Sequence, residues 1–183
     1  MLTYLDLLDT RKAPTNDLQD PYSLHQTLRR IFGGQHLTYR VDHVERAVLV
    51  RSESAGDYAT LAEGYLHKKA EIEEPIVERG GVHKLRFCVN PTRCESRTGK
   101  RFGLKGSRSQ EQWAGEQLRR AGFEVIRLER VQEEWLQGSN GARLLAVDFR
   151  GVVVITDEER AKEAVAKGIG RGKAWGCGMV VLT

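Results

Sequence analysis

The segment DPYSLHQTLRRIFGGQHLTYRVDHVERAVLVRSE, residues 20–53, decides the fold because it places a clearly bounded helix before two strands. Asp20 is a typical N-cap, Pro21 suits the first helical position, and Gly33-Gly34 form a stop signal. Residues 36–53 then show apolar alternation and a β-branched run, AVLV, which indicate two strands. The segment therefore predicts a helix followed by two neighbouring strands.

The flanking residues extend this pattern to β-α-β-β-α-β. Residues 2–9, LTYLDLLD, predict a first strand, residues 56–69, GDYATLAEGYLHKK, a short second helix, and residues 70–78, AEIEEPIVE, a closing strand interrupted by Pro75. This order is typical of a ferredoxin-like unit, in which two helices cover one face of a four-stranded antiparallel sheet.

The same order recurs in the rest of the chain. The predicted elements are a strand at 83–90, a helix at 109–123 capped by Ser109, strands at 124–132 and 142–155, a helix at 156–168 capped by Thr156 or Asp157, and a last strand within 175–183. The sequence therefore predicts an α+β protein of two tandem ferredoxin-like (RRM-like) domains, residues 1–80 and 81–183.

Composition limits the possible classes of protein. The 183 residues are 40% hydrophobic and 30% charged, as in an ordinary globular chain, and no apolar run approaches the roughly 20 residues of a membrane span. Asp6 and Asp9 interrupt the N-terminal apolar run, which argues against a signal peptide. Three cysteines without C-x-x-C spacing favour neither disulfides nor zinc, so we expect a cytoplasmic protein without a cofactor, metal or membrane partner.

The positive charge is concentrated in one segment. The net charge is only +4, yet residues 93–108 hold six cations and the single acid Glu95. Three glycines there predict a flexible loop, which could be merely a solvated surface or could contact phosphates. The density of charge favours phosphate contact. The six cations are Arg93, Arg97, Lys100, Arg101, Lys105 and Arg108.

The chain ends in GIGRGKAWGCGMVVLT, residues 168–183, a second glycine-rich segment. Phosphate-binding loops lead from a strand into a helix, whereas this loop leads from a helix into a strand, and Ala174 stands where a Walker motif needs Ser or Thr. A nucleotide-using metabolic enzyme is therefore poorly supported. The glycines allow close backbone approach to RNA or to the first domain, and Trp175 could stack on a base or wedge between domains. These glycines are Gly168, Gly170, Gly172, Gly176 and Gly178.

The helix at 20–32 carries the candidate catalytic groups. Leu24, Leu28, Ile31 and Phe32 form its apolar stripe, and Tyr22, His25 and Arg29 lie beside that stripe within about 60° of arc. An imidazole can accept or donate a proton near neutral pH, and a phenol or cation can stabilise negative charge at phosphorus. Such groups suit metal-independent RNA cleavage.

A histidine beside a helix stripe can also have a purely structural role. Helical geometry alone does not favour His25 over the other four histidines, which are His36, His43, His67 and His83.

Three motifs resemble one family. DPYSLHQTLRRIF, KLRFCVNPTR and FRGVVVITDEERAKEAVAKGIGRGKAWGCGMVVL, in that order along the chain, are similar to the CRISPR RNA endoribonucleases of the type I-E Cascade complex, the CasE branch of the repeat-associated RNA-binding superfamily. This resemblance implies tandem ferredoxin-like domains. It also implies cleavage of precursor CRISPR RNA at the base of the repeat hairpin, without metal, giving 5′-hydroxyl and 2′,3′-cyclic phosphate ends, with the product retained among other Cascade subunits.

The resemblance also implies roles for residues. Tyr22 and His25 match the catalytic pair of this family. Arg29 is suggested by the helix geometry alone, as a cation that gives electrostatic support. The RNA hairpin would be bound by the six cations of residues 93–108 together with Arg143, Arg171 and Lys173. The alternative is a non-catalytic RNA-binding subunit of the same superfamily, in which His25 only packs.

Overall fold

The computed structural model describes residues 2–7, 17, 20–33, 36–42, 47–61, 63 and 65–183. Its helices and strands, in chain order, are β1 (Leu2–Leu7), α1 (Pro21–Ile31), β2 (Thr38–Asp42), β3 (Ala47–Arg51), β4 (Leu66–Ile72), β5 (Val82–Val89), β6 (Thr92–Cys94), β7 (Arg101–Gly103), α2 (Ser107–Arg120), β8 (Phe123–Gln137), β9 (Arg143–Ile155), α3 (Glu158–Lys167) and β10 (Val180–Leu182). Single 3-10 turns lie at Tyr58–Thr60 and Lys173–Trp175.

Two antiparallel sheets carry the fold. The first has the strand order β2-β3-β1-β4 and the second the order β10-β5-β9-β8. In both sheets the first and third strands of a β-α-β-β-α-β unit are central, the strand order of a ferredoxin-like fold. The predicted α+β class and tandem ferredoxin-like topology are confirmed.

Each sheet has its own core. In the first half, the stripe predicted on α1 is buried against residues such as Val48 and Val50 of β3. In the second half, α2 and α3 pack on one face of the second sheet, where Phe87 and Phe149 are fully buried. The halves meet through a third cluster made of Leu2, Leu49, Met179 and Val181.

Local signals located two helices well. Asp20 caps α1, Pro21 is its first residue and Gly33 follows it with φ +70°. Asp157, one of the two predicted caps, starts α3 by accepting a hydrogen bond from the Arg160 backbone N–H at 3.1 Å. Leu8, Asp9 and Gly34, which the predictions included, lie outside the described residues.

The second helix and last strand predicted for the first half are wrong in the described residues. Among the described residues of 56–69, the only helical turn is Tyr58–Thr60, and residues 66–69 belong to the strand, which spans 66–72 rather than 70–78. Pairing with β1 explains the shift, because Leu66 lies opposite Leu7 and Ile72 opposite Leu2. Pro75, which cannot donate a backbone hydrogen bond, lies beyond the strand.

The start of α2 also differs from the prediction. The helix begins at Ser107, the N-cap is Gly106 without a side-chain cap bond, and Ser109 lies within the first turn. Buried Gln110 explains this start, since its Nε2 donates to the Leu104 carbonyl at 2.9 Å and to the Glu133 carboxylate at 2.8 Å.

The basic segment is not the predicted flexible loop. Residues 92–94 and 101–103 form a two-stranded hairpin, with Arg93 opposite Phe102 and Cys94 opposite Arg101. Gly103 packs on Leu145, a member of the second core. We call residues 92–103 the basic hairpin.

Candidate functional site

The N-terminal turn of α1 presents the candidate catalytic residues at one edge of the first half. The side chain of Asp20 accepts a hydrogen bond from the Tyr22 backbone N–H at 3.0 Å and fixes the first turn. Because the apolar stripe faces the sheet, Tyr22 is 53% exposed, Arg29 is exposed and His25 is half-buried. The structure therefore leaves all three predicted residues beside the core rather than inside it.

His25 combines burial with an unused polar atom. Its Nδ1 is buried and has no hydrogen-bond partner, and its ring stacks on Tyr39 with a centroid separation of 6.0 Å and an interplanar angle of 21°. Burial and, secondarily, the positive charge of Arg29 lower the pKa of His25. The neutral imidazole is therefore favoured near neutral pH.

The other histidines are weaker candidates for a catalytic role. His36 is exposed, His83 is half-buried, and the side chain of His67 is not among those described. His43 lies outside the described residues.

Tyr39 holds α1 against the glycine-rich loop. It is fully buried, and its hydroxyl donates to the Ala174 carbonyl at 2.7 Å. The Pro21 carbonyl is a second, longer acceptor for the same hydroxyl, at 3.1 Å. Burial raises the pKa of Tyr39, so it stays a neutral phenol. Tyr39 thereby links Pro21, at the start of α1, to the C-terminal loop. Sequence patterns did not indicate this contact.

A buried carboxylate that precedes α1 in the chain also holds the start of this helix. Asp17 is 2% exposed and accepts hydrogen bonds from Ser23 Oγ at 2.6 Å and from Tyr65 O–H at 2.7 Å. Sequence reasoning missed this contact as well, because Asp17 stands in a polar segment that carries no periodic signal.

The glycine-rich loop, residues 168–178, packs closely on the first half. A Cβ added at Gly176 would lie 3.2 Å from Tyr39 Cε2, and one at Gly168 only 3.0 Å from Thr38 Cγ2. Both glycines have positive φ, +77° and +71°. The loop therefore makes the close contact with the first half that was one of its two predicted uses.

Side chains of this loop divide between packing and exposure. Trp175 is half-buried and lies against Gly138, where an added Cβ would be 3.1 Å from its ring. Arg171 is exposed and Lys173 is half-buried.

The basic hairpin and the start of α2 carry a dense positive charge. All six cations predicted there are exposed, and within the described parts of the chain none of them forms an ion pair. Glu95 offsets at most one of these six charges, and its carboxylate accepts a hydrogen bond from Thr98 Oγ1 at 2.5 Å. Unpaired surface cations in this number favour a polyanionic ligand.

An exposed tryptophan near this charge was not predicted. Trp135 of β8 is 55% exposed, and the Arg143 guanidinium lies 5.2 Å from its ring centroid. Strand alternation alone did not distinguish Trp135 from a residue that packs.

The described residues contain no group of three or more His, Cys, Asp or Glu side chains arranged to hold a metal ion. None of the helices in the described part of the chain is long and apolar enough to cross a membrane.

Fold and site together define a class: a tandem ferredoxin-like protein with a cationic hairpin and an imidazole at the edge of its first helix. Residues 2–183 match the model of a family described as CRISPR associated protein. The chain therefore belongs to this family of CRISPR-associated proteins, and the resemblance to its CasE branch is confirmed.

Two kinds of relative support this assignment. The chain is 29% identical to the CRISPR-associated endoribonuclease Cse3 of Thermus thermophilus over 205 aligned positions, covering 98% of this chain and 97% of the relative. It superposes on Cse3 bound to a 19-nucleotide RNA with a TM-score of 0.90 and 28% identity, covering 100% of this chain and 96% of that one.

Further solved structures share the fold. Thermus thermophilus Cse3 bound to an RNA representing a pre-cleavage complex matches with a TM-score of 0.89 and 28% identity, over 100% of this chain and 98% of that one. Cas6e from Escherichia coli has a TM-score of 0.75 at 22% identity, over 100% and 99% of the two chains.

Proposed function

We propose that this protein is a CRISPR RNA endoribonuclease that cleaves precursor CRISPR RNA at the base of the repeat hairpin. The observation that carries the proposal is His25, a half-buried imidazole with lowered pKa and an unengaged Nδ1 at the exposed edge of α1. The cationic basic hairpin and the RNA-bound Cse3 relatives support the choice of substrate.

In the proposed reaction, the 2′-hydroxyl loses its proton as its oxygen attacks the adjacent phosphorus. The phosphorus–O5′ bond then breaks, O5′ gains a proton, and the ends are a 2′,3′-cyclic phosphate and a 5′-hydroxyl. His25 transfers one of these protons as general base or general acid. Tyr22 serves as its partner, and Arg29 stabilises negative charge at phosphorus. The chemistry requires no metal ion.

RNA binding is assigned mainly to residues 81–183, and catalysis to the helix within residues 1–80. The phosphates of the hairpin stem contact the basic hairpin and the start of α2, with Arg143, Arg171 and Lys173 extending the surface. Because the major groove of A-form RNA is deep and narrow, shape and phosphate contacts dominate recognition. Exposed Trp135 adds a surface for stacking.

We further propose that the protein keeps its product within Cascade and works in the cytoplasm. The three cysteines are free, which is compatible with a reducing compartment.

A second candidate is a non-catalytic RNA-binding subunit of the same superfamily. The stacking of His25 on the buried Tyr39 ring favours it, because that contact would also suit a purely structural histidine.

One assay separates the two candidates. A labelled repeat hairpin is incubated with the protein in excess EDTA, and product ends are analysed by mass. Cleavage that persists and leaves a cyclic phosphate supports the endoribonuclease. Tight binding without product would assign the protein to the non-catalytic class.

A further inference from the structure

The second sheet has an open face that none of the residues assigned above uses. Strand alternation directs Leu85, Phe87 and Phe149 toward α2 and α3, so Lys84, Arg86 and Arg150 project from the opposite face. Together with Arg127 of β8, these cations line a groove of about 570 Å³. We call this groove the sheet groove.

The sheet groove concentrates like charge. Arg86 of β5 lies directly opposite Arg150 of β9, and like charges in such cross-strand pairs destabilise a sheet. Among the lining side chains, Glu129 is the single carboxylate, and it lies opposite Arg150 and pairs with Arg127 at 2.8 Å. Because both members of that pair are largely exposed, it compensates little of the charge. The exposed cations Lys84, Arg127 and Arg150 therefore favour an anionic ligand.

The sheet groove continues toward the candidate catalytic helix. Arg86 and Arg150 also line a cavity of about 180 Å³ between the two halves of the molecule. The opposite wall of that cavity includes Pro21 and Leu24 of α1 together with Trp175. A path lined by Arg86 and Arg150 therefore leads from the first turn of α1, which carries Tyr22, to the sheet groove. The cavity also holds three carboxylates, so the excess of positive charge lies in the sheet groove; these are Asp17, Glu134 and Asp148.

This path is distinct from the surface assigned to the hairpin stem. Gly103 of the basic hairpin packs on Leu145, whose side chain belongs to the core on the helix-covered face. The sheet groove opens on the other face of the same sheet. An RNA stem held by the basic hairpin would leave the groove available.

The chemistry of the lining selects the ligand. Guanidinium and ammonium groups bind phosphates, and the groove has no aromatic side chain on which a base could stack. We infer that the sheet groove binds, through its phosphates and without sequence preference, the single-stranded RNA that continues from the hairpin past the cleaved bond. This inference rests on the proposed function.

The test compares two RNAs that carry a 2′-deoxy substitution at the scissile nucleotide, so that binding is measured without cleavage. One is the bare repeat hairpin, and the other adds single-stranded flanks on both sides. The variant combines Lys84→Gln, Arg127→Gln and Arg150→Gln and spares half-buried Arg86. The control is Arg119→Gln, which removes an exposed cation of α2 outside the groove.

We expect the wild type and the control to bind the flanked RNA about tenfold or more tighter than the bare hairpin, and the triple variant to lose that gain. The salt dependence of flanked-RNA binding should become shallower by about two units of slope, since each single-strand phosphate contact contributes about 0.7. Binding of the bare hairpin should not change, and neither should cleavage of an unmodified bare hairpin, assayed separately.

A triple variant that retains the full gain from the flanks would overturn the inference. If that variant instead loses association with other Cascade subunits, the groove is a protein interface, and the inference is equally wrong. Failure of the wild type to bind or cut the bare hairpin would instead count against the proposed function. That outcome is therefore distinguishable from failure of the inference about the sheet groove.

Discussion

His25 is where the proposed chemistry can be tested on a single side chain. We expect His25→Ala to keep its affinity for the repeat hairpin while losing about 100-fold or more of its cleavage rate, because proton transfer by a positioned group contributes at least that much. Gln26→Ala, an exposed neighbour on the same helix, is the matched control. Single-turnover cleavage and equilibrium binding give the two readouts. Equal cleavage by both variants would remove His25 from the mechanism.

The electrostatic surroundings of His25 predict a pH effect. Arg29 is the cation that lowers the pKa of this imidazole, in addition to burial. A general base works when neutral, so its rate falls as the pH drops through the pKa, whereas a general acid loses activity as the pH rises through it. In either role, Arg29→Gln should raise the pKa and move the midpoint of that limb to higher pH.

Arg30→Gln is the control for this pH profile, because Arg30 is also exposed on α1 but does not contribute to the pKa of His25. Cleavage rates measured across pH for both variants decide the matter. Identical midpoints in the pH profiles of the two variants would show that the group that titrates is not His25.

At the scale of elements, the basic hairpin carries its cations on two paired strands and the turn between them. Neutralising Arg93, Arg97, Lys100 and Arg101 to Gln should weaken binding of the RNA hairpin and lower the slope of log affinity against log salt by about one per lost phosphate contact. Since α1 is untouched, cleavage of bound RNA should change less than affinity.

Lys162→Gln with Lys167→Gln provides the control, because these exposed lysines of α3 are not assigned to RNA and each pairs with a glutamate four residues away. Binding titrations over a range of salt concentrations measure both variants. A salt slope unchanged in the basic-hairpin variant would show that its cations do not contact phosphate.

At the scale of the whole molecule, an ion pair joins the two sheets. Arg40 of β2 donates to both carboxylate oxygens of Asp148 in β9 at 2.8 and 2.5 Å, and both side chains are largely buried, with 9% and 18% exposure. Asp148→Asn should lower the free energy of unfolding by about 3 kcal/mol, because it removes the charge of a carboxylate that a buried guanidinium binds through two hydrogen bonds.

Denaturant unfolding measures this change, and Arg40→Met combined with Asp148→Leu is the informative comparison. Replacing both charges by apolar groups should restore much of the stability, since neither charge of the pair then remains buried. A double variant as unstable as Asp148→Asn would show that the packing around the pair, rather than its charge, holds the halves together.

Sequence predicted best what depends on neighbouring residues. The cap at Asp20, Pro21 and the apolar stripe fix α1 locally, and Asp157 and Gly168 do the same for α3. The repeated element order gave the tandem topology. The predicted second helix of the first half failed because pairing with β1 draws residues 66–72 into a strand, and a distant partner leaves no signal in the local pattern.

By itself, then, the sequence determined the topology, the start of α1 and the residues at its exposed edge, since helix caps and periodicity act over a few positions. Only the tertiary structure decided that Tyr39 ties α1 to Ala174, that residues 92–103 form a hairpin, and that Arg86 meets Arg150 in a groove. Those contacts join residues far apart in the chain, and their geometry depends on strand register and packing, which side-chain identity alone does not encode.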